Sequence, residues 1–565
     1  MSEATSKEFR TLRGKTIECI SLMGQAVGKA RFAQDAGPLV ELLLEAQKQD
    51  LDPDDPQVCF MIGAWANICR LMGAEMAPLL PLMMPQIMKA ASLDLDLCVL
   101  NDQEAEKLDE ETWDVVKVDN DQNFAMHTSS LEEKSSAMQM LVTFARELKE
   151  AFYDYCEEVL KLMLKSLDFV CDEIRQNAAD ALPHLLYIVK LSNQSSLVSV
   201  WDRVFHDLFK VLENEDEVEV LTDQIESLAA CVEVLGSGAF LTEEQINQIK
   251  GLMERFFEKN IENERELDME SEEEEELADE KEEKLLILAK VYDLNNALFK
   301  VLGVKAVDDL KQLIPYWIQL SQSDMHEELK LGLCFWGDLI QYGGDASWQY
   351  KDHFMQVVGQ GLSHEEKMIR VDSVYAAGLI AMYGPKEFSP FLKELLPWVI
   401  KLIETADGRS DELNFVTENA ISCMAKFLKY RPEIFEQDSK VKDEILTKWL
   451  DWLPVWEDLA EIEHVYNYLC DLVEANNPII LGPGNSNLPK ICVAIVKCIA
   501  LDGLTPTTGV EDSFESSSPN SESSPTVWTR CLRLIEQMQS NNKVFSACLD
   551  HLTLDEKEVL QRVLI

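Results

Sequence analysis

Residues 362–384 read LSHEEKMIRVDSVYAAGLIAMYG: a charged entry, apolar positions at helical spacing and a glycine exit. Residues 170–190, VCDEIRQNAADALPHLLYIVK, follow nearly the same pattern. Ile174-Arg175 and Ile369-Arg370 occupy the same place in the two segments, and Ala178, Ala179 and Leu182 correspond to Ser373, Val374 and Ala377. Small residues at these points let one helix approach its neighbour closely. The arginine in the first turn can reach an acidic group in an adjacent unit. The two arginines are 195 residues apart, which is about five lengths of a two-helix repeat of roughly 40 residues. An amphipathic helix that recurs without chemistry is what a solenoid needs, because one helix pair cannot bury its own apolar face and a stack can.

Working outward, almost every segment shows a period near 3.6 and little strand-like alternation. Four pairs are regular: 308–322 with 324–342, 348–362 with 365–383, 388–406 with 411–430, and 439–453 with 457–475. Their second helices begin near 324, 365, 411 and 457, at the HEAT spacing. Earlier pairs are less regular: 32–48 with 56–73, 76–91 with 131–149, 151–168 with 170–190, 195–213 with 216–235, and 243–260 with 284–302. The predicted fold is all-α, a HEAT-repeat α-solenoid of antiparallel helix pairs over 1–503, with helices at 526–565 closing its end. Three segments break the rhythm. Residues 93–129 read as a long polar connection. Residues 262–283, which hold Glu272, Glu273, Glu274, Glu275 and Glu276, read as an acidic mobile or extended-helix insertion. Residues 504–525, rich in Ser and Pro, read as disordered.

The chain has 565 residues, 47% of them hydrophobic, and a net charge of -51. Such a charge repels phosphate backbones and anionic headgroups and favours a basic protein partner, so nucleic acid and membrane surfaces are excluded as partners. Fourteen cysteines, with no CxxC among them, lie mostly in apolar helical patterns, as Cys59, Cys69, Cys334, Cys423 and Cys470 do. That usage points to a reducing compartment without a disulfide framework. The N-terminus has no apolar signal core, and no run approaches the roughly 18 apolar residues of a membrane span. The reading is a soluble intracellular monomer.

No nucleotide, zinc-protease or hydrolase motif occurs, so neither an enzyme nor a cofactor or metal is expected. The eight histidines are isolated, and His184 reads as a packing or surface residue. Asp451 sits between Trp449 and Trp452 in an amphipathic helix, where the tryptophans read as core. LGPGNSNLPK (481–490) lacks a following Lys-Ser/Thr and reads as a tight inter-helix connection. What recurs is acid at second-helix starts: Asp324, Glu327, Glu328, Glu365, Glu366, Asp411, Glu412, Glu457 and Asp458, with Glu418 one turn further in. Each pair alone suits a helix N-terminus. Repeated at the HEAT spacing, they form a candidate ladder facing a basic ligand.

Several segments closely resemble the C-terminal part of the karyopherin-beta family of nuclear transport receptors: RGKTIECISLMGQAVGKARFAQDA (13–36), LEEKSSAMQMLVTFARELKE (131–150), GLIAMYG (378–384), ADGRSDELNFVTENAISCMAKFLKYRPE (406–433) and HVYNYLCDLVEANNPIILGPGNSNLPKI (464–491). They follow the family's order from about residue 10 to the end. The family also carries an acidic segment before the helix corresponding to 284–302; the Ser/Pro-rich insert at 504–525 departs from its pattern. The resemblance implies a right-handed superhelix whose second helices line the concave side. It implies binding of basic import signals, such as those of ribosomal proteins and histones, weak contacts with Phe-Gly nucleoporins, cargo release by Ran-GTP, and shuttling between cytoplasm and nucleus. Family members are considerably longer, and their main Ran-GTP contacts and much of their best-described signal-binding surface lie before the point where the resemblance starts. A truncated form or a shortened protein with altered function is therefore expected. A HEAT scaffold without transport activity, as in phosphatase scaffold subunits, has the same fold and is the alternative.

Overall fold

The computed structural model describes residues 9–47, 57–94, 98–100, 108–109, 113–118, 122–267, 274–435, 439–501, 504 and 526–564. The chain divides into two compact units, Met1–Leu235 and Gly236–Ile565.

In the first unit, helices Arg10–Val27, Gln57–Met72, Thr128–Leu148, Asp172–Ser192 and Val218–Leu235 form one layer, each packed on the next. Lys29–Gln47, Leu80–Ala91, Tyr153–Ser166 and Leu197–Leu212 supply the partner helices. Trp65, Phe144, Phe152 and Trp201 are fully buried between the layers. Arg175 does what its position predicts: its guanidinium meets both oxygens of Glu215 at 3.0 Å in the next repeat and donates to the Phe169 carbonyl at 2.9 Å.

The second unit repeats the plan. Its second helices are Glu274–Leu302, His326–Gly343, Lys367–Tyr383, Asn414–Tyr430 and Leu459–Glu474, again each against the next. The bounds of the last four lie within a few residues of those read from periodicity, while Glu274–Leu302 begins ten residues before the expected 284. Gly344, at φ +51°, ends His326–Gly343 in a left-handed conformation that costs glycine little. Gly332 lets the same helix press on the preceding one: a Cβ there would stand 2.7 Å from the Ser321 backbone. Trp336, fully buried, donates its indole N–H to Ser321 Oγ at 2.7 Å. Trp449 is core as expected, and the 481–490 connection is a tight turn through Gly482, Gly484 and Asn485, all at positive φ. Helix Val527–Gln539 packs on Leu459–Glu474, and Leu554–Val563 packs on Leu488–Ala500.

The HEAT-solenoid expectation is borne out in its helices, with one local correction. The segment 93–129, read as a polar connection, carries a three-stranded antiparallel sheet in the order β1-β3-β2: β1 Cys98–Leu100, β2 Trp113–Val118 and β3 Gln122–His127. Trp113 pairs with His127 and Val118 with Gln122. Of this sheet, Ala125 and Met126 are fully buried. Lys134 ties the helix Thr128–Leu148 to the end of Leu80–Ala91 by donating to the Ala91 and Leu93 carbonyls at 2.8 and 3.0 Å. WDVVKV and QNFAMH are short, and their polar residues do not fall at every second place, so no clean alternation marked them as strands. The acidic stretch 262–283 continues helices on both sides, to Leu267 and from Glu274; residues 268–273, including Glu272 and Glu273, lie outside the described residues, as does 505–525. Glu274, Glu275 and Glu276 open the helix Glu274–Leu302.

Candidate functional site

Successive second helices of the Gly236–Ile565 unit bring their starting ends together along one edge. The rings of His326 and His364 lie 5.2 Å apart. Asn414 donates to Glu457 at 2.6 Å, and Asn419 donates to Asp458 at 2.7 Å. The predicted acidic positions therefore share an edge, but they do not share a role. Asp324, Glu327, Glu365, Asp411, Glu412 and Glu457 are exposed. Glu366 is half-buried and caps Lys367–Tyr383, accepting from the Met368 N–H.

Three more of the predicted acids are committed to the fold. Glu328 is buried and faces Lys284 Nζ at 3.5 Å. Glu418 is fully buried and holds the next repeat's entry turn: it accepts from the backbone N–H groups of Trp456, Glu457 and Asp458 at 3.0, 2.8 and 3.3 Å. Asn414 and Arg409 complete its shell at 3.1 and 3.3 Å. Burial raises its carboxyl and the surrounding N–H groups oppose the rise. Asp458 caps Leu459–Glu474 through the Ala460 and Glu461 N–H groups. A carboxylate so occupied has little left to offer a ligand.

Arg370 departs from the arginine pattern. Its guanidinium turns back to the His364 and Glu365 carbonyls of its own loop, at 2.7 and 2.8 Å, instead of reaching a neighbouring acid. Arg409 takes the inter-repeat role one unit later, bonding the Trp452 and Pro454 carbonyls and standing 5.2 Å over the Trp456 ring. Trp452 itself is part-exposed and lines a cleft with Arg409, Trp456 and Lys497.

Sequence reasoning missed a second set of polar groups, in a stripe along these helices that runs from buried residues (Asp338, Lys426) to part-exposed ones (Cys334, Asp372, His464). On His326–Gly343 the stripe passes through Cys334, Asp338 and Tyr342; on Lys367–Tyr383 through Asp372, Tyr375 and Tyr383; on Asn414–Tyr430 through Lys426 and Tyr430; on Leu459–Glu474 through His464 and Asp471. Tyr375 and Tyr383 are each 38% exposed. Lys426 Nζ lies 5.0 Å over the Tyr375 ring and pairs with buried Glu461. Tyr430 stacks on His464 at 5.7 Å, and burial pushes the His464 imidazole down to about 4, so it is neutral at physiological pH. The available signal was a polar residue interrupting an apolar run, as in LCFWGDLI and MIRVDSVYAAG.

Among the described residues no group of His, Cys, Asp and Glu is arranged to hold a metal ion. His184 is mostly buried and held neutral, its imidazole pushed down to about 4 by burial.

The model of the family "Importin repeat 6" matches residues 220–323. The chain is 28% identical over 521 residues to importin subunit beta-3 of Saccharomyces cerevisiae, covering 90% of this chain and 47% of the relative. It is 26% identical over 504 residues to a probable importin-5 homolog of Dictyostelium discoideum, covering 83% of this chain and 44% of the relative. Among solved structures, a Kap121p mutant superposes with a TM-score of 0.75 at 24% identity, over 98% of this chain and 48% of that one. Kap121p bound to RanGTP superposes with a TM-score of 0.73 at 23% identity, and Kap121p bound to Nup53p with 0.71 at 23%, each over 98% of this chain and 48% of that one. The resemblance to importin beta-3 read from the quoted segments is borne out over nine-tenths of the chain, and the solenoid fold is shared with Kap121p. The chain spans about half the length of the relatives it matches.

Proposed function

We propose that this chain serves nuclear import as the C-terminal half of an importin beta-3-like receptor, holding basic segments of cargo proteins by electrostatic capture. The observation that carries the reading is the edge formed by four successive second helices. It presents Asp324, Glu327, Glu365, Asp411, Glu412 and Glu457 to solvent in a chain of net charge -51. Single exposed carboxylates contribute little on their own, but a row of them raises the encounter rate and fixes the register of a positively charged segment. Ribosomal proteins and histones supply such segments. The acidic run around Glu272–Glu276 is a competitor or accessory clamp for the same edge.

The function is carriage, not catalysis, and the chain acts as a monomer moving between cytoplasm and nucleus. Residues 1–503 act as the solenoid and 526–565 close its end. Ran-GTP and Phe-Gly nucleoporins are partners of the complete receptor; support comes from the relatives, since Kap121p has been crystallised with RanGTP and with Nup53p. The half-length match favours a second reading, a HEAT scaffold that holds protein partners without a Ran-driven switch.

A pull-down of the 565-residue chain with a basic import-signal peptide, with and without Ran-GTP and at two salt concentrations, separates these. Peptide binding that falls steeply with salt supports capture on the acidic edge. Displacement by Ran-GTP supports a working receptor, and its absence supports a cargo-holding half. No binding at low salt hands the fold to the scaffold reading.

A further inference from the structure

The helix Arg10–Val27 is apolar on two opposite sides. Its inner side is built of small residues and fully engaged: Gly14, Ile17, Ser21 and Gly24 are buried. The Phe60 ring lies against Gly14 and the Phe32 ring against Gly24, and Asn67 donates to Ser21 Oγ at 3.0 Å. At about 100° per residue, the opposite side runs through Phe9, Leu12, Cys19, Ile20, Met23 and Val27 and holds no charged residue. It spans about 27 Å of helix. Leu12, Met23 and Val27 are 58%, 60% and 46% exposed, and Phe9 and Cys19 are exposed as well. Each later second helix of the Met1–Leu235 unit is preceded by a first helix that packs on it; among the described residues Arg10–Val27 has none. A solenoid end that faces water carries a polar outer side, and a contiguous exposed apolar stripe marks an interaction surface. The setting is basic. Residues 10–31 hold Arg10, Arg13, Lys15, Lys29 and Arg31 against Glu18 alone, in a chain of 102 acidic and 51 basic residues. Lys15 and Arg13 fall on the two flanks of the stripe.

We propose that the outer side of Arg10–Val27 is a docking surface for an amphipathic helix with acidic flanks, presented by a partner protein and seated as the first helix of a HEAT pair is seated. The place it takes continues the packing of the rest of the layer, where each second helix lies between its first helix and the next repeat. Charge selects among the occupants of an apolar stripe. A second copy of this chain would set basic flanks against basic flanks, whereas acidic flanks on the incoming helix meet Lys15 and Arg13 with opposite sign. The residues that precede the helix, MSEATSKE, offer only Met1 and Ala4 as apolar groups and do not match the stripe. An anionic lipid surface also suits basic flanks, but it repels a chain of net charge -51. The surface lies in the Met1–Leu235 unit and stands apart from the basic-segment reading, whose acids lie in Gly236–Ile565.

The test is fluorescence anisotropy on the full chain with a labelled synthetic helix of about 18 residues, long enough to run the stripe, carrying leucines along one side and glutamates on both flanks. Wild type is compared with L12E/M23E, with K15E and with L82E, which charges an exposed leucine on another helix of the same unit. L12E/M23E should lose at least tenfold in affinity and L82E should bind as wild type. K15E should weaken the glutamate-flanked helix, and a lysine-flanked version of the helix should bind wild type less well than the glutamate-flanked one. The substituted side chains point to solvent, and circular dichroism melts confirm that each variant folds. Binding by L12E/M23E equal to that of wild type, or no binding by wild type, overturns the proposal. So do two other results: a dimer of the wild type in sedimentation velocity that L12E/M23E abolishes, which gives the stripe to a second copy, and retention on phosphatidylserine vesicles that L12E/M23E abolishes, which gives it to a lipid surface.

Discussion

Lys426 Nζ lies 2.7 Å from the Glu461 carboxylate across two adjacent helices, with side chains 4% and 5% exposed. Ser422 adds its hydroxyl to the same carboxylate, and the Tyr375 ring lies 5.0 Å from the ammonium. Breaking such a pair from one side leaves an uncompensated charge, whereas replacing both ends with apolar groups removes the desolvation cost as well. K426M and E461L singly are expected to lower the stability of the Gly236–Ile565 unit by about 3 kcal/mol each, and K426M/E461L to recover at least half of one single loss. Denaturant melts of the four proteins close the cycle; additive losses would show that the pair is not coupled.

Glu418 joins consecutive repeats by accepting three backbone N–H groups from residues 456–458. In E418A those donors lose their partner and Arg409 loses its carboxylate, a loss on the order of 2–4 kcal/mol. The break is local, so hydrogen exchange is the sensitive measurement: the 456–461 amides should exchange faster in E418A while those of Thr128–Leu148 do not change. E412Q, altering an exposed acid of the preceding turn, should leave exchange at 456–461 as in wild type.

The helical frame was readable because its signal is collective: an apolar period of 3.6, repeated every 40 to 47 residues, placed most helix pairs to within a few positions, though not the two helices that extend into the acidic stretch. The sheet was not, because two six-residue strands leave a weak trace in a polar segment. Half of the candidate site was legible for the same reason. Acids at second-helix starts recur with the repeat, and exposed ones such as Glu327, Glu365 and Asp411 lie where that recurrence put them. That Glu418 is spent on backbone N–H groups of the next unit depends on contacts 38–40 residues away, which periodicity does not carry. Asp338 and Asp372 occur singly, so no repetition marked them.

Gly332 and Gly251 separate packing from propensity. A Cβ on Gly332 meets the Ser321 backbone at 2.7 Å, and backbone cannot rotate aside. Gly251, in the helix Glu243–Leu267, has nothing within 4 Å of the same atom. G332A is expected to destabilise by roughly 1–3 kcal/mol through overpacking, while G251A should be neutral or stabilise by up to about 1 kcal/mol from helix propensity alone. Thermal melts of both variants check this. A G332A protein as stable as wild type would mean that the helix pair slides apart without cost.

Asp338 should make stability fall as pH rises. In the fold its carboxyl is pushed up to about 6, chiefly by burial, against 3.8 as the ordinary value. The Tyr292 and Asn296 hydrogen bonds and Lys300 oppose the rise, while Asp293 adds to it. Between those two values the folded chain holds more protons than the unfolded one, so each step up in pH costs stability until the folded group has ionised. The contribution is intact below about pH 4, shrinks towards pH 6 and is gone above it. His464 acts in the opposite sense: its imidazole is pushed down to about 4 from 6.5, so its neutral form is favoured and stability falls as pH drops through that interval. Comparing wild type with D338N removes the His464 contribution, since both proteins carry it. Asparagine can accept from Tyr292 and bears no charge, so D338N should exceed wild type in stability at pH 7.5, and the advantage should shrink by about 1 kcal/mol at pH 5. Urea melts at the two pH values measure the difference. An advantage of the same size at both would show that Asp338 ionises at its ordinary value inside the fold, and that its burial carries no proton-linked cost.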